Sequence, residues 1–383
     1  MKTIITDELY EYAVSIRRKI HEQPELGFDL DNTVALVSAE LDKLGIKYTY
    51  AYGRGSVVCE LGKGEKTIGL RADMDALPIE EKTGLPYSSQ VKGRMHACGH
   101  DAHTAILLST AKYLKAHEQD LPCKVRLIFQ PSEECAESGA KMMVDNGICE
   151  GVDHILSTHC EPTIDSGKIG VCYGDYMAAC IPATVRFFGK ASHAALPEYG
   201  IDAIAMANEA YSKMKVAVAE EAQGAKYIWS VGVFHGGTAH NVIAELCEMD
   251  ISFRFFDLDF ACRVEKRVRQ ICEEVAAKFG GKAEIKWNVS SIAVHNDEQL
   301  TARFESAARL EGLSVEHVAQ KMSSEDFGWY LGCVPGLIFR FGTRNEALGC
   351  TTTAHKSDFK IDERGMRLAI TAFCTYILNY SSN

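Results

Sequence analysis

The sequence has no run approaching the ~18 consecutive apolar residues that a membrane-crossing helix needs, so no bilayer span is expected. Its start, MKTIITDELYEY, carries Asp7, Glu8 and Glu11 where a secretory signal would place an apolar core, so a cytoplasmic setting is expected. None of the 14 cysteines pair as Cys-x-x-Cys. Scattered thiols without a secretion signal read as reduced and buried, not as a disulfide framework. There is no excess of basic charge: 41 Lys and Arg face 52 Asp and Glu, a net of −11. That balance argues against nucleic acid and anionic membrane as partners. Internal repeats and low-complexity tracts are absent. The GRGSVV at 53–58 has no helix after it, which excludes a dinucleotide-binding loop there.

What is present is ordinary for a globular chain: 383 residues, 46% hydrophobic and 24% charged. The length points to two domains. Helical spacing of Leu9, Tyr12, Ala13, Ile16 and Ile20 predicts a helix over 7–20. A second helix is expected over 32–44, with Asp31 as N-cap and Gly45 just past its end. Apolar runs at 56–62, 67–73, 124–130 and 154–159 alternate with helical stretches at 102–117 and 137–146. Such alternation predicts an α/β unit with a largely parallel sheet. From 181 the pattern becomes strand, helix, two strands, helix, strand, which is the order of a ferredoxin-like α+β module. The expected organisation is therefore a discontinuous α/β domain, 1–178 and 290–383, with an inserted domain at 179–289.

Four groups of residues are unlike packing residues. Asp73 and Asp75, in RADMDALP, follow an apolar strand and so emerge at its C-terminal end, where open α/β sheets place their sites. In MHACGHDAHT, three His, one Cys and one Asp crowd into a few positions, and thiolate and imidazole ligate zinc-like ions. Gly99 lets the chain turn so that Cys98 and His100 can face one ion. Glu133 and Glu134, in QPSEE, are adjacent carboxylates that repel unless a cation or shared proton intervenes. One could ligate metal while the other acts as a general base. His159 and His355 are single candidates, each more often structural when taken alone.

These stretches, with IHEQPELGF, GKASHAALP, GGTAHNVIA and SSEDF in the same order, resemble the M20 metallopeptidase family across nearly the whole chain. The likeness is to its amidohydrolase branch of hippurate hydrolases, N-acyl amino acid deacylases and auxin-conjugate hydrolases. It implies a di-metal aminopeptidase-like catalytic domain with an inserted lid that dimerises, as a homodimer or higher homo-oligomer. It also implies two divalent ions per subunit (Zn, Mn, Co or Ni), with Cys98 bridging them and His100, Glu134, His159 and His355 completing the set. Glu133 is then the general base, and Asp75 orients a ligand. His193 and Asn241, on the inserted domain, contact substrate, and His193, reaching the partner's site in a dimer, binds the substrate carboxylate or the developing oxyanion. His96 and His103 flank the ligands as supporting residues.

The implied activity is hydrolysis of N-acyl amino acids to a carboxylic acid and a free amino acid. Three other readings stay open at this stage. One is a di-metal dipeptidase or exopeptidase, and another is a thiol hydrolase using Cys98 with a nearby His. The third is a non-catalytic metal-binding protein.

Overall fold

The structure, a computed structural model, describes residues 3–380. The expected domain ends at 1–2 and 381–383 lie outside the described residues. The chain divides into two compact units. One comprises the chain up to Tyr176, Val294–Gln320 and the chain from Asp326 on. The other comprises Met177–Ala293 and Lys321–Glu325. The second unit thus extends past the 179–289 read from sequence at both ends and takes in five residues from a distant segment.

The first unit is built on a mixed sheet whose described strands run, edge to edge, Tyr48–Thr49, Val57–Leu61, Lys124–Gln130, Thr67–Asp73, His154–Asp165, Gly336–Arg344, Lys168–Val171 and Ser314–His317. The four central strands, from Lys124–Gln130 to Gly336–Arg344, are parallel. Strands Thr67–Asp73 and Gly336–Arg344 are buried almost throughout, because helices cover both faces of such a sheet. Register sets Asp73 beside Gln130, so two of the polar motifs leave the sheet at the same level. Helices Asp7–Glu22, His100–Ala116 and Arg364–Leu378 share one core with the sheet, through Ile16, Ile106 and Phe373 among others.

Four local expectations need correction. Asp31 does not cap its helix: it is the first helical residue, and the Glu25 carboxylate takes the Asn32 and Thr33 amides at 3.0 and 2.8 Å. The helix expected from 102 begins at His100, with Gly99 as its left-handed N-cap. The strand expected to end at His159 continues to Asp165, which puts His159 inside a strand. The cysteines form no disulfide, but Cys135, Cys262 and Cys333 are exposed instead of packed inside.

The second unit is an antiparallel sheet in the order Ile228–Gly236, Leu246–Phe255, Ala179–Phe188, Lys282–Trp287. Strands Ala179–Phe188 and Leu246–Phe255 alternate buried and part-exposed residues. Their buried face meets helices Ala203–Ala222 and Leu258–Phe279 in a core that includes Val185, Phe253, Met206 and Val268. Asp202 and Asp257 cap those helices with their side chains. None of the described helices is long and apolar enough to cross a membrane.

Between helices Asp7–Glu22 and His100–Ala116 lies a buried ionic cluster. Arg17 Nε donates to Asp101 Oδ2 at 3.0 Å, and Nη1 to Glu363 at 2.8 Å. His21 Nδ1 reaches the same Asp101 oxygen at 2.7 Å. Asp101→Asn leaves a buried guanidinium short of its counter-charge. Urea unfolding of this variant is expected to show a loss of about 3–5 kcal/mol.

Candidate metal centre

Cys98 sits on the turn that starts helix His100–Ala116. Gly99 makes this turn with φ +86°, and a Cβ there would stand 2.5 Å from Cys160 Sγ. Only glycine satisfies both conditions, so Cys98 and His100 project side by side from a very tight corner. His355 arrives from a distant loop in the left-handed region, φ +67°, pinned by its amide to the Ala97 carbonyl at 2.8 Å. His159 comes from the neighbouring parallel strand.

These donors converge. The ligand atoms of Cys98, His100 and His159 lie within 4.8 Å of one another, as do those of Cys98, Glu134 and His355. Cys98 is the member common to both groups. Its Sγ is 3.4 Å from His159 Nε2, and His355 Nε2 is 3.2 Å from Glu134 Oε1. Glu133 and Glu134 each reach to 3.8 Å from His100 Nε2.

The chemistry of the set fits a divalent cation. His159 Nδ1 lies 2.7 Å from the Cys160 carbonyl, which can only accept, so Nδ1 carries the proton and Nε2 offers a lone pair toward Cys98. Burial, helped by Arg340 and His103, holds His159 well below its ordinary value and therefore neutral. Neither ring nitrogen of the fully buried His100 makes a well-aligned hydrogen bond, and Glu134 Oε1 has only the 3.2 Å approach of His355 Nε2; such groups are costly unless something binds them. Burial favours neutral His100, but Asp73, Asp75 and Glu134 outweigh it and push the ring up to about 10. Burial and the carboxylates of Glu134, Glu133 and Asp73 drive the Cys98 thiol well above its ordinary value. The pocket therefore concentrates negative potential on soft and borderline donors.

Asp75 braces the carboxylate pair. Its two oxygens accept the amides of Glu133 and Glu134 at 2.9 and 3.1 Å, and Oδ1 is 3.5 Å from His100 Nδ1. His103 is a strut: Nδ1 donates to Asp73 at 2.6 Å while Nε2 accepts the Cys160 amide at 2.9 Å, leaving no lone pair for a metal. His96 is fully buried with both ring nitrogens lacking a hydrogen-bond partner. His193 and Asn241 lie in the second unit. There Ser192–His193 pairs with Val242–Ile243, and Ala194 N–H donates to the Asn241 carbonyl at 2.9 Å, so the two side chains sit exposed on one ribbon.

Sequence reasoning overlooked Arg71 and Asp326. Arg71 is completely buried and donates to Gln130 at 2.8 Å, Asp73 at 2.7 Å and Asp326 at 2.8 Å. The signal was available: an arginine inside the otherwise apolar strand TIGLRAD, and an aspartate before the apolar FGWYL.

Comparisons with known proteins identify the family. The description "Peptidase family M20/M25/M40" matches residues 69–379, and the chain belongs to that family. Among characterised relatives, N-acetyl-L-cysteine deacetylase of Bacillus subtilis is 37% identical over 93% of this chain and 85% of its own. Thermostable carboxypeptidase 1 of Saccharolobus solfataricus is 33% identical over 98% and 97%. A solved structure, the Bacillus subtilis YXEP protein, described as a dinuclear metal binding peptidase from the M20 family, superposes with a TM-score of 0.84. It is 32% identical and covers 97% of this chain and 98% of its own. Within the family the chain falls in the amidohydrolase branch, whose members are metal-dependent hydrolases of amide and peptide bonds.

Gly99→Ala tests the corner. The strained φ and the clash with Cys160 are expected to cost about 1–3 kcal/mol in thermal or urea unfolding and to weaken divalent-ion binding measured by calorimetry.

Proposed function

We propose that the protein is a di-metal amidohydrolase that cleaves N-acyl amino acids to a carboxylic acid and a free amino acid. The observation that carries this reading is the pair of donor groups sharing Cys98, with Glu133 at their edge. Cys98 would bridge two divalent ions, with His100 and His159 completing one ligand set and Glu134 and His355 the other. When bound, divalent ions lower the pKa of water from 15.7 to about 7 and polarise an amide carbonyl.

The remaining work falls to the chain. Asp75 holds the backbone of Glu133, so the Glu133 carboxylate is presented to the attacking water without a search over loop conformations. Glu133 accepts a proton from that water and returns it to the leaving amine, because an amide nitrogen leaves only once protonated. The family resemblance assigns His193 to the substrate carboxylate or the developing oxyanion, and Asn241, on the same ribbon, to the substrate. The second unit also forms the homodimer. Its edge strand Ile228–Gly236 has one free side in the sheet and exposes Ile228, Val233 and Phe234, which is the kind of edge a second copy covers.

A thiol hydrolase needs Cys98 as thiolate in electropositive surroundings. The carboxylates around Cys98 act in the opposite direction, which favours metal chemistry. Exopeptidase action is the second reading, and the similarity to a carboxypeptidase favours it.

A panel of N-acetyl, N-benzoyl and N-indoleacetyl amino acids, run beside peptides with free C-termini, separates the two. Activity on the acyl amino acids that disappears with chelator and returns with Mn or Zn is expected. Full activity after metal removal would overturn the reading. Glu133→Ala is expected to cut kcat by about 10²–10⁴-fold while the metal content of the protein persists. Mixing inactive Glu133→Ala with inactive His193→Ala is expected to restore activity if His193 serves the partner's site. A mixture that stays inactive places His193 in its own subunit's site.

A further inference from the structure

We propose that Asp326 is a positioning residue that clamps both feet of the loop bearing Glu133 and Glu134. The inference deepens the reading above, because that loop is taken to supply the general base and one ligand. The loop leaves the sheet at Gln130 and re-enters regular structure at helix Gly139–Asp145, whose N-cap is Ser138. Asp326 grips both places at once. Its Oδ2 accepts Ser138 Oγ at 2.7 Å and the Ala140 amide at 3.1 Å, and Gln130 Nε2 donates to both carboxylate oxygens at 2.9 and 3.0 Å. Asp75 holds the tip of the same loop through the Glu133 and Glu134 amides. Ser132, in the same loop, sits in the left-handed region at φ +51° without being glycine, a conformation that the contacts around it must sustain.

A second path leaves the same carboxylate. Asp326 Oδ1 accepts Arg71 Nη2 at 2.8 Å, Arg71 Nη1 donates to Asp73, and Asp73 fixes His103, which holds the Cys160 amide beside His159. One buried carboxylate therefore braces two ligand-bearing segments that are far apart in sequence. Asparagine at this position keeps the size but turns an N–H toward groups that also donate, toward Ser138 and Ala140 in one orientation and toward Arg71 in the other, so one of these contacts is lost.

The alternative is that Asp326 only balances the charge of buried Arg71. Two variants of the full chain separate these roles: Asp326→Asn, and Ser138→Ala, which cuts one foot and leaves the Arg71 pairing intact. Hydrogen exchange by mass spectrometry, on metal-free and metal-loaded protein, is expected to speed up across 131–138 in both variants, while helix His100–Ala116 keeps its protection. Divalent-ion affinity is expected to fall roughly 10–100-fold in Asp326→Asn and less in Ser138→Ala, with kcat falling more than KM changes. The proposal is overturned if neither variant alters exchange in 131–138. It is equally overturned if Asp326→Asn loosens the whole unit uniformly while Ser138→Ala changes nothing, which is the signature of charge balance alone. Should the wild type bind no divalent ion, the proposed function fails, and the exchange data still decide whether the clamp exists.

Discussion

A guanidinium cannot be stripped of water unless oxygen atoms replace it, and Arg71 is buried completely in the central sheet. That requirement draws in Gln130 from the next strand, Asp73 from its own, and Asp326 from a distant segment. The strands therefore end at a common polar layer where an apolar α/β sheet would otherwise close over its rim. Part of the donor cluster is braced by that layer and its neighbours. Asp73 continues it to His103, Asp326 to Ser138, and neighbouring Asp75 to the Glu133–Glu134 amides.

The same layer explains the electrostatics. Carboxylates used for structure lie within a few ångströms of the soft donors, so their field reaches His100 and Cys98 and favours positive charge there. A site that holds protons strongly at its ligands is one whose protons a divalent ion displaces. His159 is the counterpart: burial and the Arg340 charge keep it neutral, and the Cys160 carbonyl fixes which nitrogen faces the centre. The proposed ligands are thus prepared by different means, two by acidic neighbours and one by backbone geometry.

Much of this was legible along the chain. Helix Asp7–Glu22 and the central strands follow from apolar periodicity, because burial of one helical face or of a whole parallel strand leaves a regular trace. Dense ligand clusters such as Cys98–His100 and Glu133–Glu134 are visible because such residues are costly to bury without a purpose. Less visible were features in which one element supplies what another lacks. Glu25, not Asp31, caps helix Asp31–Lys43, since a cap may come from any carboxylate that the fold brings near the free amides. His159 lies within a strand because hydrogen bonds to Gly336–Arg344 extend that strand past its apolar run.

The sequence by itself determined the elements, the order of the motifs and the identity of the donors, since these depend on local propensity, periodicity and side-chain chemistry. It also carried the need for glycine at 99, although not the reason. Tertiary structure alone decided that His355 is pinned to Ala97 and that His103 spends both nitrogens on Asp73 and Cys160. It alone joined Asp326 to residues nearly two hundred positions or more away. The physical reason is that hydrogen bonding and charge pairing are satisfied by proximity in space. A buried polar group accepts whichever partner the packed sheet delivers, and no pattern along the chain announces which one that is.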